Sequence, residues 1–237
     1  MKILHLYYDL MNLYGEYGNV VVLKKHLEDQ GFDVSVDKKT INEEINFEEY
    51  DFVYCGSGTE KNELFVLDDL IKRKDNFING LNKGMICLFT GNSMELLGKS
   101  IDDKKALDIV SLKTTLTNNR YTGDVIVKNE SFGEIVGFIN KCSIIDEDEN
   151  IKLFDYLFKD LNLKDSDFEG YKVNNLYGTH IIGPILVKNP SFMKHIVTRI
   201  GQKENPNFVY QEISYPYEED SYNVTLKALK ERIKQYL

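Results

Sequence analysis

Three stretches of this chain bring together residue types that could do chemistry. Tyr54-Cys55-Gly56-Ser57-Gly58-Thr59-Glu60 sets a thiol and hydroxyls around two glycines. That spacing lets backbone amides approach a ligand closely, although any tight turn also uses it. Leu88-Phe89-Thr90-Gly91-Asn92-Ser93-Met94-Glu95-Leu96-Leu97-Gly98 passes from an apolar run into polar residues, with Thr90, Ser93 and Glu95 as functional groups. Tyr177-Gly178-Thr179-His180-Ile181-Ile182-Gly183-Pro184-Ile185-Leu186 carries a histidine. The other histidines, His5, His26 and His195, are scattered, and no His/Asp/Glu cluster has metal-ligand spacing, so neither metal nor cofactor is expected. Cys55, Cys87 and Cys142 form no CxxC pair, and an odd number without a secretion signal suggests reduced thiols. Cys87, inside Met85-Ile86-Cys87-Leu88-Phe89, reads as a core residue.

The elements that must position these groups are those of a globular protein. The chain has 237 residues, 42% hydrophobic and 28% charged, which suits a substantial core and argues against disorder. One domain over 1–237 is expected, with no repeat, low-complexity tract or Pro/Gly-rich linker. A net charge of −9 without a basic face argues against nucleic acid as a partner. No apolar run approaches the ~20 residues that span a bilayer. The opening Met1-Lys2-Ile3-Leu4-His5-Leu6 is too short for a signal peptide, so a cytoplasmic location without membrane attachment is expected.

Strand and helix signals alternate through the first half. Strands are predicted at Lys2–Tyr8, Phe32–Val36, Asp51–Cys55 and Gly84–Thr90, and a helix over Asn19–Gln30 stopping at Gly31. A second helix presents Leu64, Leu67, Leu70 and Ile71 on one face. Continuous apolar strands between helices indicate a parallel sheet covered on both faces. From Val110 to Phe138 the pattern changes to hairpins, with turns around Tyr121-Thr122-Gly123-Asp124 and Asn129-Glu130, so an antiparallel extension is predicted. Asp146-Glu147-Asp148-Glu149-Asn150 reads as a solvated acidic loop, and Leu226, Leu229 and Ile233 mark a final amphipathic helix.

A fourth stretch, Leu6-Tyr7-Tyr8-Asp9-Leu10-Met11-Asn12-Leu13-Tyr14-Gly15-Glu16-Tyr17-Gly18-Asn19, joins the other three in a family resemblance. Together they resemble the class I glutamine amidotransferases, in the branch that holds the glutaminase subunit of lipid II isoglutaminyl synthase and cobyric-acid-synthase-like proteins. The resemblance spans Leu6 to Pro190. It implies a flavodoxin-like three-layer α/β sandwich with a mostly parallel mixed sheet. It also implies that Gly56, Ser57 and Gly58 form the oxyanion loop, and that Arg120, in Asn118-Asn119-Arg120-Tyr121-Thr122-Gly123-Asp124, meets a glutamine carboxylate. A surface arginine at a strand end is the plain alternative. Val136-Gly137-Phe138-Ile139-Asn140-Lys141 resembles another family element, from which Ile139 and Lys141 depart.

The departures at the centre matter more. Aligned on Leu96-Leu97-Gly98, the family's nucleophilic cysteine falls on Gly91 and its glutamine on Glu95; the family's histidine base falls on Ile182. Neither a glycine nor an isoleucine can make a thioester or take a proton. Among substitutes, Thr90 is expected to point into the sheet, Ser93 to cap a helix, and Glu95 to be a helix-surface charge. A Cys55–His180 pair is the one replacement that can be built, since i and i+2 in a strand share a face and Ile182 lies two residues on.

The leading expectation is a catalytically degenerate glutaminase-like subunit, a scaffold for a Mur-ligase-like partner protein. The alternative is a protein that binds glutamine or another small carboxylate in the vacated pocket. Arg120 and the amides of Gly56 to Gly58 are expected to remain there as donors. An active enzyme with relocated residues is the third reading.

Overall fold

The computed structural model describes residues 1–160, 162–163 and 166–236. The first half alternates strand and helix. β1 (Lys2–Leu6) leads through a 3₁₀ turn (Leu13–Gly15) to α1 (Tyr17–Asp29), β2 (Ser35–Lys39) and β3 (Phe52–Cys55). α2 (Glu60–Lys72) and α3 (Lys74–Asn82) precede β4 (Ile86–Thr90) and a 3₁₀ segment, Gly91–Leu97. Two short strands, β5 (Ser100–Ile101) and β6 (Lys104–Lys105), introduce a long ribbon of β7 (Leu112–Asn129) and β8 (Gly133–Glu147). β9 (Lys152–Lys159), β10 (Phe168–Val173), β11 (Leu176–Thr179) and β12 (Ile181–Ile182) follow. α4 (Ile185–Lys188), α5 (Pro190–Glu204) and α6 (Pro216–Tyr236) close the chain.

Among the described residues one mixed sheet runs β12-β8-β7-β9-β10-β11-β4-β3-β1-β2. β2, β1, β3, β4 and β11 form a parallel block, and β10, β9, β7, β8 and β12 continue it antiparallel, as the change of pattern predicts. Alternation along the central strands builds two cores. Leu4, Val53, Cys55, Cys87 and Phe89 face α2 and α3, while Ile3, Phe52, Tyr54, Ile86 and Leu88 face α1 and α5. The result is a three-layer sandwich. No helix of the described residues is long and apolar enough to cross a membrane.

Three local expectations are corrected, and the turn expected at Asn129-Glu130 is found. The second strand begins at Ser35 rather than Phe32 because the amide of Phe32 is used to cap α1, donating to Leu27 O at 3.2 Å beside Gly31 at φ +88. Tyr121–Asp124 is not a turn; it lies within β7, paired with Lys141 to Phe138 on β8. Gly123 is required there because a Cβ would come within 2.5 Å of Asp160 Cβ. The ribbon's real turn follows Asn129, whose Oδ1 accepts from Ser131 N at 2.8 Å. Asp146 and Glu147 extend β8, so only the remainder of that acidic stretch leaves the sheet.

Asn189, fully buried between α4 and α5, stands in for a strand at the free side of β8. Its Oδ1 accepts from Val136 N at 2.8 Å, and its Nδ2 donates to Val136 O and Ile185 O, each at 2.9 Å. Asn189→Ala should destabilise the fold by roughly 2–4 kcal/mol, because buried backbone groups of β8 lose their partner. Urea unfolding monitored by circular dichroism measures this, and a midpoint unchanged from the parent would refute it.

Candidate functional site

The carboxyl ends of the parallel strands lie side by side, with Leu6 opposite Lys39, Cys55 opposite Phe89, and Thr90 opposite Thr179. The four motif stretches all leave the sheet along this edge, where open α/β sheets place their sites. One buried carboxyl joins them. Glu16 Oε2 accepts from Tyr54 Oη at 2.5 Å and from Thr90 Oγ1, and its Oε1 accepts from Gly183 N at 2.8 Å. Asn19 Nδ2 donates to Tyr54 Oη at 2.8 Å and its Oδ1 accepts from Leu186 N at 2.8 Å. Burial raises the Glu16 carboxyl above the usual range, against the pull of its hydrogen bonds from Thr90, Tyr54 and Gly183.

Gly91 follows Thr90 in a left-handed conformation, φ +61. A Cβ built there would lie 2.5 Å from both Cβ and Oγ of Ser57 and 3.1 Å from Ile182 Cγ2. The oxyanion loop, Gly91 and Ile182 therefore converge on one point. Ser57 occupies the space into which a side chain at 91 would project, and Ile182 forms an apolar wall beside it. Asn92 completes the closure. Its Oδ1 accepts from Gly58 N at 2.9 Å and from Ser57 Oγ at 3.2 Å. The amide of Gly58, expected to await a carboxylate, is thus already satisfied by a carbonyl of the protein itself. Gly56 is a glycine for packing reasons, since a Cβ would sit 2.7 Å from Met11 O.

The candidate substitutes are held elsewhere. Cys55 is wholly buried in the core against α2; its thiol, pushed up by burial, is within 3.9 Å of Gly56 O. His180 binds two glutamates instead, with Nε2 3.1 Å from Glu95 Oε1 and Nδ1 3.8 Å from Glu169 Oε2. Neither residue is hydrogen-bonded to the other. Thr90 does point inward, onto Glu16. Ser93 is no helix cap: its Oγ donates to Cys55 O at 2.9 Å and Thr90 O at 2.8 Å. Glu95, expected on the surface, is fully buried.

Beside this closed point opens a cavity of about 330 Å³, with Gly58, Glu63, Asn92, Glu95, Lys141 and Ser143 among its walls. Arg120 is at its rim, half exposed, donating to Glu60 Oε1 at 2.9 Å and to Asn140 Oδ1 at 2.6 Å. The floor is a buried charge cluster. Burial, then the charge of Glu95, raises the Glu63 carboxyl well above its ordinary value. Glu63 Oε1 and Glu95 Oε2 have no other hydrogen-bond partner, and one proton shared between the two carboxyls satisfies both. Burial and Lys141 push the His180 imidazole down, but Glu169 and Glu95 outweigh them and hold it up to about 8. Burial likewise raises Glu169, yet His180 and Lys141 bring it below its ordinary value.

Sequence reading missed Glu63, Asn92, Cys142 and Ser143. One signal was available for Glu63. It falls with Val66, Leu67 and Leu70 on the buried face of α2, at i, i+3, i+4 and i+7, and a carboxyl on such a face needs a buried partner. Cys142 lines the cavity, half-buried, beside Glu60; burial raises its thiol. It alternates with Lys141 and Ser143 along β8, but the register that turns these residues inward depends on an irregularity in the β7–β8 pairing between Leu116 and Tyr121.

Comparison with known proteins gives a consistent picture. A family model described as the CobB/CobQ-like glutamine amidotransferase domain matches residues 2–190. The lipid II isoglutaminyl synthase (glutamine-hydrolyzing) subunit GatD of Streptococcus pneumoniae is 30% identical over 228 residues, 93% of this chain and 86% of that protein. The same subunit of Staphylococcus aureus is 28% identical over 218 residues, 90% and 89% of the two chains. Among solved structures, a glutamine amidotransferase superposes with a TM-score of 0.54 at 11% identity, over 84% of this chain and 98% of that one. Another, from Thermotoga maritima, gives 0.51 at 11% over 98% and 97%. Both show the class I glutamine amidotransferase fold.

The charge cluster sets a pH dependence. His180 binds its proton more tightly in the folded chain (about 8) than in the unfolded one (about 6.5), so its stabilisation is complete below pH ~6.5 and lost as pH rises through about 8. The raised Glu63 carboxyl acts in the same direction. Stability should fall by about 2 kcal/mol from His180 across that window, and His180→Gln should flatten the decline. Urea midpoints from pH 6 to 9 measure it; stability constant or rising in the parent would contradict the assignment.

Proposed function

We propose that this chain, which belongs to the CobB/CobQ-like glutamine amidotransferase family, is a subunit that keeps the family's scaffold, does not hydrolyse glutamine, and serves a partner ligase. The observation that carries the reading is the closed point at Gly91. Glutamine hydrolysis by this family's chemistry needs a thiolate at the turn after β4 and an imidazole beside it. Here a hydrogen atom and an isopropyl-like wall face each other, Ser57 fills the space between, and Asn92 Oδ1 takes the amide that would stabilise an oxyanion. The relatives from Streptococcus and Staphylococcus are named as subunits of a synthase, which supports a role within an assembly. A Mur-ligase-like enzyme is the partner we propose, and the cytoplasm the compartment.

A second reading rests on the open cavity beside that point. Glu63 and Glu95 in its floor suit an amino group, while Lys141 and Arg120 suit a carboxylate, so a small amino acid complements it. Arg120 must first release Glu60 and Asn140, which makes binding weak. Calorimetry with glutamine and glutamate on the parent and on Arg120→Ala tests it. No heat at millimolar concentration in either would leave the partner role alone.

Ammonia release from glutamine, with and without the candidate ligase, tests the leading reading. Loss of nucleophile and base together costs on the order of 10⁶-fold, so no turnover above background is expected. Turnover abolished by Cys142→Ala or Cys55→Ala would overturn it in favour of a relocated thiol. Restoring the family residues should also fail at first. Gly91→Cys with Ile182→His should lose roughly 2–4 kcal/mol of stability through left-handed strain and the clash with Ser57, without gaining activity. Adding Ser57→Gly should recover most of that stability. If the double variant is as stable as the parent by urea unfolding, the closed-site description is wrong.

A further inference from the structure

A second cavity, of about 320 Å³, lies between α1 and the strands β1 and β2 and shares no lining residue with the first. Nothing in the amidotransferase reading uses it. Its walls are mainly apolar and aromatic: Tyr8 and Tyr17 stand at its mouth, and Val20, Val21 and Val36 line its sides. His5 is one wall, 2% exposed, packed against Tyr54 at 5.6 Å between ring centroids and edge-on to Tyr8 at 6.4 Å. Its Nε2 is buried and has no hydrogen-bond partner. Burial, then the nearby Lys38, lowers this imidazole to about 4, so near neutrality it is an uncharged wall of the cavity.

The rim has the opposite character. Lys24 and Lys38 both border the cavity. Lys38 is exposed and leans over the Tyr8 ring at 5.9 Å rather than onto a carboxylate. Lys24 reaches Glu28 at 3.4 Å in an exposed i,i+4 pair, which is weak and exchangeable. No carboxylate is among the residues lining the cavity. A slot of aromatic and branched side chains bordered by two ammonium groups selects locally against cations and for a flat apolar body ending in a negative charge. The volume, at the lower end for ligand sites, admits one or two fused rings.

We propose that this cavity is a binding site for an aromatic carboxylate, with the ring between Tyr17, Val20 and Val36 and the carboxylate between Lys24 and Lys38. His5, uncharged, packs against the ring as one wall of the slot. Two of the lining residues, Tyr17 and Val21, are 56% and 59% exposed, so the slot is open to solvent. This inference stands independently of whether the first cavity binds anything.

The test is NMR titration of the full chain with three probes: indole-3-propionate, uncharged indole and cationic tryptamine. Shifts are followed at the His5 ring and the Tyr8 and Tyr17 rings. Indole-3-propionate should bind at millimolar concentration or better, more tightly than indole, with tryptamine not binding. Lys24→Gln and Lys38→Gln are surface changes expected to leave the thermal midpoint intact; together they should weaken indole-3-propionate at least roughly tenfold and leave indole unaffected. His5→Phe should weaken both ring probes. Arg120→Ala separates the two cavities and should change nothing. The proposal is overturned if no probe shifts His5 at ~5 mM, if all three bind alike, or if Arg120→Ala abolishes binding while the lysine variants retain it.

Discussion

The site depends first on one buried carboxyl that ties its loops together. Glu16 lies on the turn into α1, yet its two oxygens hold Tyr54 at the end of β3, Thr90 at the end of β4, and the amide of Gly183 beyond β12. These three elements come from three separate parts of the chain and meet only because each supplies one donor to the same group. A buried carboxyl with three donors and no cation in direct contact is tolerable where it is fully hydrogen-bonded, and costly once any donor is removed. Gly56 is bound into the same arrangement, because a Cβ there would sit 3.0 Å from Glu16 Cβ. The family scaffold can therefore persist while the reacting groups vary, since its geometry does not rest on them.

Around Gly91 the structure holds a set of matched contacts. Ser57 stands where a side chain at 91 would go, and Asn92 places a neutral carbonyl oxygen on Gly58 N. An amide hydrogen bond made within the protein needs no ligand, so the oxyanion loop is at rest without a substrate. In the adjoining cluster, His180, held up by Glu169 and Glu95, and Glu169, brought down by His180 and Lys141, stabilise each other's charged forms. Buried charges so arranged contribute specificity of arrangement more than stability, because desolvation consumes most of the attraction between them.

The parallel block, the two-faced burial and the edge that carries the motifs were legible from the sequence, because each rests on local periodicity or on turn residues. Strand boundaries failed where capping overrode the pattern, as at Phe32, whose amide belongs to the end of α1. The turn placed at Gly123 failed because that glycine answers to the Asp160 side chain, a neighbour across the sheet that no local window contains. Glu95 was misread as exposed for a related reason. The segment after Thr90 is a 3₁₀ turn and not an α-helix, so a helical face could not be projected from it. Ser57 was marked only through the resemblance, as part of a loop, and its contact with Asn92 exists only once the two loops are adjacent.

The place of β11 in the sheet has a consequence for how the molecule is made. β4 pairs with β11, far along the chain, and β11 in turn joins β4 to the antiparallel ribbon through β10. During synthesis β4 therefore emerges with one hydrogen-bonding edge bare, and it stays bare until residues 176–179 have been added and the ribbon has folded beside it. Non-local parallel pairing of this kind is slow to form, and a bare apolar edge is a template for other chains. The strand that covers the edge also delivers His180 and Ile182 to the pocket. A nascent molecule with an unfinished pocket is thus the same molecule that is prone to aggregate, and the step that ends one condition ends the other.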